Sequence, residues 1–481
     1  MKKKIILSMC VGLLACYSCQ KSALTPALPT SISNQGYAQF STVARIQAGV
    51  LGLYATVRSG ASFGGRYIEA DEAKGDNWIN ATSNGITDYN TWREANTSND
   101  TEVVGLWGQC YLSINDCNLF IDGMAASGSA VLGNATLTNN YVAEARFLRA
   151  LNYFALLNMY CQPYAVSNGA SPGVPLRLTG NSSAGDYTLA PATVAQVYTQ
   201  IISDLTFAEA NLPLAYFTTG TTLDATSNTT RASRNTAIAL STRVYLAKGD
   251  YANVITQANK IVTLTAPFTA TTGVPYALQA NIANVFKTPY TTTESVFSLP
   301  FTTAETPGTQ NQLATYFVNT TGEFYINASS QLFTDPNWRA TDARRGLTKV
   351  SGTKTYSNKY PTGSPYTDWA PVMRYSEVLL NLAEARVNVN GVADLQAIAL
   401  LNAVRQRSDP GAPAIIPTIA NILEERNIEF LAEGKRWLDL WRLHMDIPAK
   451  GATIGVLPAT APAYIWPMSA TEQVYNPAIG R

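Results

Sequence analysis

The chain has 481 residues, enough to bury a large core as one big domain or two intimate ones. Its 34 Lys and Arg are matched by 33 Asp and Glu, so there is no basic field to draw in nucleic acid. Charged residues make up only 14%, and the single histidine is His444; a zinc site built on several histidines is excluded, and any nucleophilic triad would have to use that one imidazole.

Lys2, Lys3 and Lys4 precede an apolar run from Ile5 to Ala15, the layout of a secretory signal peptide. The run is shorter than the roughly 20 residues that span a bilayer. Leu13-Leu14-Ala15-Cys16 is similar to a bacterial lipobox, in which the cysteine is acylated and becomes the mature N-terminus. The cleavage-side residues favour Cys16, with Cys19 the alternative. Residues 1–15 are then a lipoprotein signal peptide, and residues 16–34, rich in Ser, Pro and Thr, a flexible tether. Downstream, only Cys110, Cys117 and Cys161 remain. Cys110 and Cys117, seven apart on a helix, are separated by about 10.5 Å, beyond disulfide reach, so buried free thiols are expected.

Beyond the tether, two regions are expected, 35–230 and 231–481, each with a loop-rich insertion. Residues 59–101 carry the first, full of Gly, Asn, Thr and aromatics. Two helices follow: Trp107 to Met124 aligns Cys110, Ile114, Cys117 and Ile121, and Tyr141 to Tyr160 aligns Phe147, Leu151, Phe154 and Leu157. Val194 to Ala210 pairs with the second of these. Asn235 to Val262 reads as a helix pair broken at Lys248-Gly249, where glycine supplies a left-handed cap; its second half is close to a tetratricopeptide repeat. A short strand is expected at Val296–Phe301. Residues 302–369 form the second insertion, and Arg374 to Arg407 another helix pair turning at Asn390-Gly391. The fold class is mainly α: irregular tetratricopeptide-like helix pairs with long loop-rich insertions and a few short strands.

The segment EERNIEFLAEGKRWLDLWRLH (424–444) concentrates nine charges around two tryptophans. Arg426 with Glu429, Glu433 with Arg436 and Asp439 with Arg442 stand at i,i+3, which predicts ion pairs on a helix surface. Gly434 is expected to split the segment into two helices. His444 at its end suits the helix dipole. No Walker or Rossmann glycine pattern is present, and Gly60 to Gly65 is glycine-rich without a strand-to-helix frame. No pair among the acids stands out for glycoside hydrolysis. Asp335, Asn337 and Asp342 offer oxygen ligands for a structural calcium ion, but their spacing is not that of an EF-hand; a helix cap and salt bridges to Arg344 or Arg345 account for them more simply. No cofactor, no metal and no enzymatic activity are expected.

Neutral polar ligands are held by rings that stack on their apolar faces and by amides and guanidinium groups that bond their polar groups. Trp78, Asn80, Tyr89, Trp92 and Arg93 supply that chemistry in a loop without core periodicity. Tyr325 and Trp338, near Phe324 and Asn327, form a second candidate group, and Tyr360, Tyr366 and Trp369 a third. Trp107, Trp437 and Trp441 lie on helical apolar faces and are expected in the core.

Several blocks occur in a fixed order: the lipobox-like leader, WGQCYLSINDCN (107–118), AEARFLRALNYFALLNMYC (143–161), GVPLRL (173–178), the 234–262 pair, ESVFSLPF (294–301), APVMRYSEVLLNLAEARVNVNG (370–391), the 424–443 segment and IWPMSATEQVYNP (465–477). Together they resemble the SusD/RagB family of nutrient-binding outer-membrane lipoproteins over essentially the whole chain. The resemblance implies a non-catalytic protein, lipid-anchored on the outer face of the outer membrane. It would capture oligosaccharides and deliver them to a SusC-like TonB-dependent barrel. A peptide-capturing lid of the RagB type and a protein-binding helical scaffold are the alternatives. The family's ligand loops share no motif, so no binding residue transfers by matching.

Overall fold

The computed structural model describes residues 39–183, 185–318 and 322–480. The expected signal peptide, Cys16, Cys19 and nearly all of the segment before the first helix lie outside the described residues.

The scaffold is a run of helices, each packed on the next. Helix α1 (Val43–Val57) starts at Thr42, whose hydroxyl accepts from Arg45 N, and buries Ile46, Val50, Leu53, Tyr54 and Val57. It lies against α3 (Thr101–Gly123), after the short α2 (Arg66–Lys74). Helix α4 (Ala135–Tyr160) is capped by Asn134 and buried on nearly all sides from Tyr141 onward. Helix α5 (Val194–Asn211) opens on a Thr193–Gln196 capping box. The predicted pair is α6 (Arg234–Lys248) and α7 (Tyr251–Ala258); Gly249 sits between them at φ 77°, the left-handed conformation that glycine adopts without steric cost. The later pair is α8 (Tyr375–Asn390) and α9 (Leu395–Ser408), joined at Gly391. Packing runs α3–α4–α5–α6–α7–α8–α9, the quasi-one-dimensional stacking of a helical repeat array. One hydrophobic core runs through residues of both expected regions.

Strands are few and short. Strand β1 (Trp78–Asn80) pairs with β3 (Phe324–Ile326), β2 (Ser295–Leu299) with β6 (Ala370–Arg374), and β4 (Thr348–Ser351) with β5 (Lys354–Ser357), all antiparallel. Cys110, Cys117 and Cys161 are buried free thiols. Among the described residues no helix is long and apolar enough to cross a membrane.

The charged segment does split at Gly434, φ 66°, into α10 (Ile419–Glu429) and α11 (Arg436–Arg442). Its charges, however, are not on a surface. Of the three expected pairs only Asp439–Arg442 forms, at 2.8 Å. Arg426 reaches Asp439 at 2.7 Å, and Arg436 reaches Asp76 at 2.6 Å. Glu429 meets Arg407, Arg374 and Arg344, while Glu433 meets Lys359 and Arg374. All these side chains are under one-tenth exposed. The correction has a physical reason: α10 and α11 are enclosed by α2, α8, α9 and the 342–374 segment, so each charge meets a partner from another element. A buried ion must be paired, and pairing across elements fixes their mutual positions. Asp71 of α2 also accepts from Trp437 N and Leu438 N at 3.0 and 3.1 Å, capping α11 from outside its own sequence. His444, at φ 50° past the end of α11, has Nε2 3.2 Å from the Ala459 carbonyl.

Candidate ligand-binding face

The two insertions expected as separate loops meet. Trp78 is opposite Ile326, Ile79 opposite Tyr325, and Asn80 opposite Phe324. Side chains alternate across such a pair, so Trp78, Phe324 and Ile326 point inward and are buried, while Ile79 and Tyr325 share the outer face, half-buried.

Arg66, at the start of α2, holds the loops together. Its Nη1 donates to the Ile86 carbonyl at 2.6 Å, Nε to Asn311 Oδ1 at 2.7 Å and Nη2 to the Gln310 carbonyl at 3.4 Å. The glycine-rich turn beside it explains itself here. A Cβ on Gly60 would stand 1.9 Å from the Pro307 carbonyl oxygen, and one on Gly65 1.9 Å from that of Asn311. The 307–311 backbone packs where side chains would be. On the same side, Tyr366 and Asp368 line a small cleft with Gly64, Pro307 and Gln312.

Three expected ligand rings are corrected to core positions. Trp78 has no exposed surface, donates Nε1–H to Glu72 Oε2 at 2.6 Å and packs on Phe317 at 4.7 Å. Trp92, 5% exposed, donates to the Trp78 carbonyl at 2.8 Å. Trp338, 2% exposed, packs edge-on to Phe333 beneath the Arg345 guanidinium, 3.8 Å away. Trp78 is covered by the remote segment that carries Phe317 and Ile326, whereas Trp92 and Trp338 pack within their own loops. Tyr360 is likewise buried, donating to the Ala432 carbonyl at 2.8 Å.

The remaining candidates keep solvent access. Tyr89 is half-buried, roughly parallel to the Trp92 ring at 6.1 Å, with the exposed Arg93 guanidinium 5.1 Å from its centroid. Asn80 uses Oδ1 to accept from Thr82 N and Ser83 N, shaping its own turn. Tyr325 has the Lys354 ammonium 4.4 Å from its ring centre. Trp369 stacks on Tyr290 at 5.3 Å and 20°, both half-buried, and Tyr290 Oη donates to Asp368 at 2.8 Å. The sequence carries no signal for Tyr290: nothing in the Thr-rich stretch around it links it to Trp369.

Beneath the first loop lie three buried carboxyls, Glu69, Asp88 and Glu102. Burial, then the charge of Asp88, pushes Glu69 well above the usual carboxylate range. Burial lifts Asp88 to about 6, although Arg66 pulls it down. Burial, with Asp88 as second cause, lifts Glu102 to about 8. Asp88 sits at φ 59° and closes the loop where Tyr89 begins. Among the described residues no group of three His, Cys, Asp or Glu is arranged to hold a metal. Asp342 instead caps the turn at 343–347 and pairs with Arg344 at 2.7 Å, the alternative to calcium that the sequence favoured.

Comparison with known proteins agrees with this architecture. Residues 268–479 match the SusD family, and residues 34–246 match a family described as starch-binding and associating with the outer membrane. The chain belongs to the SusD/RagB family. A SusD-like protein of Formosa agariphila is 24% identical over 467 residues, covering 84% of this chain and 85% of its own. A SusD superfamily crystal structure from Bacteroides fragilis shares the fold with a TM-score of 0.81 at 29% identity, covering 92% of this chain and all of the other. A laminarin-binding SusD-like protein matches the fold at a TM-score of 0.69 and 22% identity, covering 90% of this SusD-family chain and 98% of its own.

Proposed function

We propose that this protein is a surface lipoprotein that captures neutral oligosaccharides on its loop face and hands them to a SusC-like TonB-dependent barrel in the outer membrane. The observation that carries the reading is the pairing of the two insertions through β1 and β3, with Tyr89, Arg93, Tyr325 and the Tyr290–Trp369 stack reaching solvent. Such rings offer flat apolar area at low entropic cost, and the exposed Arg93 guanidinium beside Tyr89 suits hydroxyls. A β-glucan of the laminarin type is the first ligand class to test, because a protein of the same fold is named for binding it. Titration calorimetry with laminari-oligosaccharides and starch oligosaccharides separates the two glucan classes. Preference for peptides over both would favour the peptide-capturing alternative.

Capture without chemistry is the second half of the reading. The carboxyls with the most raised affinity for protons in this face, Glu69, Asp88 and Glu102, lie under the loop at 0–1% exposure, out of a ligand's reach. A glycosidase needs both of its carboxyls open to the scissile bond. The only imidazole is held against the Ala459 carbonyl and the Tyr464 ring. The hand-off is tested by recovering the barrel with the tagged lipoprotein from native membranes; repeated recovery of the lipoprotein alone would remove the transporter from the reading.

A further inference from the structure

A second concavity lies between the Gln331–Thr334 helical turn, the first turns of α10 and the Met445–Pro448 segment beyond α11. It has a volume of about 130 Å³ and is the concavity in which Asp335 and Glu424 meet. Leu332, Leu423, Leu440 and Met445 contribute apolar walls. Asp335 is 8% exposed; Oδ1 accepts from Asn337 N at 2.7 Å, and among the described residues its other oxygen accepts no hydrogen bond. Glu424 accepts from Gln331 Nε2 at 3.1 Å. Neither carboxylate has an ion pair among the described residues.

The cations nearby make their closest contacts elsewhere, though Arg405 still acts on Glu424 and Arg345 on Asp335 at longer range. Arg436, also in the wall, is tied to Asp76 at 2.6 Å. Arg345 stacks on Trp338 and donates to its carbonyl. Arg405 is 3.8 Å from Glu425 and 3.4 Å from Asn337. The cavity thus carries excess negative charge. Consistent with this, burial and then the charge of Asp335 push the Glu424 carboxyl up.

We propose that this cavity binds a primary alkylammonium group, its charge held between Asp335 and Glu424 and its aliphatic stem against Leu332, Leu423, Leu440 and Met445. An ammonium carries three donors and no acceptor. Asp335, Glu424 and the free amide oxygen of Gln331 provide three acceptors. A calcium ion, which takes about 6–8 oxygens, is poorly served by two carboxylates and a hydrocarbon wall. The volume is close to that of the roughly 150 Å³ cavity that holds benzene, so a stem of about four or five carbons fits. Two sources present this chemistry: a free diamine and the end of a lysine side chain. The inference is independent of the glycan reading, and its test uses no glycan.

The test is calorimetric titration of the full chain, at low salt, with 1,5-diaminopentane, Nα-acetyl-lysine methylamide and, as an uncharged control, 1-pentanol. Saturable binding of at least one amine and none of pentanol is expected. Asp335→Asn and Glu424→Gln, which keep shape and hydrogen bonding, should each weaken it about tenfold or more, as for loss of a charge-assisted bond. Ala420→Phe, at an exposed position on the rim, should block entry without altering the melting temperature, so the result does not rest on the acidic variants folding normally. Tighter binding of the diamine points to a free amine, and equal or tighter binding of the lysine amide to a peptide side chain; either supports the site. No saturable binding at millimolar amine, or binding untouched by both charge-removing variants, overturns it.

Discussion

The guanidinium of Arg374 and the carboxylate of Glu433 lie 59 residues apart and form a two-point pair in the core, Nε to Oε2 at 2.7 Å and Nη2 to Oε1 at 2.9 Å. The same guanidinium also meets Glu294 and Glu429, so one side chain joins the end of β6 to α10, the loop before α11 and the residue ahead of β2. A pair buried this deeply is weak evidence of net stability, because desolvation opposes the attraction. It is strong evidence of interdependence, because neither partner tolerates being left alone.

Arg374→Ala should therefore destabilise the protein by about 3–5 kcal/mol, the cost of uncompensated buried charge. Urea unfolding checks this. A loss below about 1 kcal/mol, the range of exposed pairs, would contradict the buried network.

The same network sets the acid limit. Burial pushes Glu433 up, yet Arg374 and Lys359 more than offset it and hold the carboxyl below the usual range. Glu429 is held well below that range by Arg407, Arg374 and Arg344, again against burial. A depressed carboxyl contributes stability that is present above its unfolded pKa and lost as pH falls through the folded one. Urea midpoints should hold near neutrality with respect to these groups and collapse below about pH 4, the ordinary carboxylate value.

Glu102 behaves in the opposite sense. Its folded pKa of about 8 lies above the ordinary carboxyl value, so the stabilisation from holding its proton is full in acid and drains as pH rises toward about 8. Glu102→Gln should match the parent near pH 5 and exceed it near pH 8 by an amount on the order of 2 kcal/mol. Parallel pH profiles for both proteins would refute the buried-carboxyl reading.

Rings in the loops should divide cleanly. Trp78→Ala should cost about 3–5 kcal/mol, the range for deleting a large core side chain, and should lower the melting temperature along with any binding. Tyr89→Ala, at a half-buried position, should leave the melting temperature nearly unchanged and weaken glycan binding by about 1–1.5 kcal/mol, as for one lost aromatic contact.

The helical array was legible because its signals are local. Periodic apolar faces, the glycine at 249 and the turn at Asn390-Gly391 read as helix pairs without knowledge of their neighbours. The loop face was not legible in the same way. Trp78 shows no periodicity, and what buries it is a strand from the other insertion together with Phe317. Spacing within 424–444 correctly yielded Asp439–Arg442, while Arg426, Glu429, Glu433 and Arg436 find partners in other elements. The glycines at 60, 64 and 65 were a visible signal whose cause, the backbone of 307–311 and the Arg58 carbonyl lying against them, appears only in three dimensions. Tyr290 and Trp369 stack through a loop-to-loop contact that local sequence does not encode.

Calorimetry of the protein with laminari-oligosaccharides, followed by recovery and sizing of the sugar, tests the central claim most directly. Capture without chemistry predicts saturable binding, weakened in Tyr89→Ala or Trp369→Ala, with the oligosaccharide recovered at its original length. Shortened oligosaccharide, or no binding to any neutral glycan while the fold is intact, would contradict it.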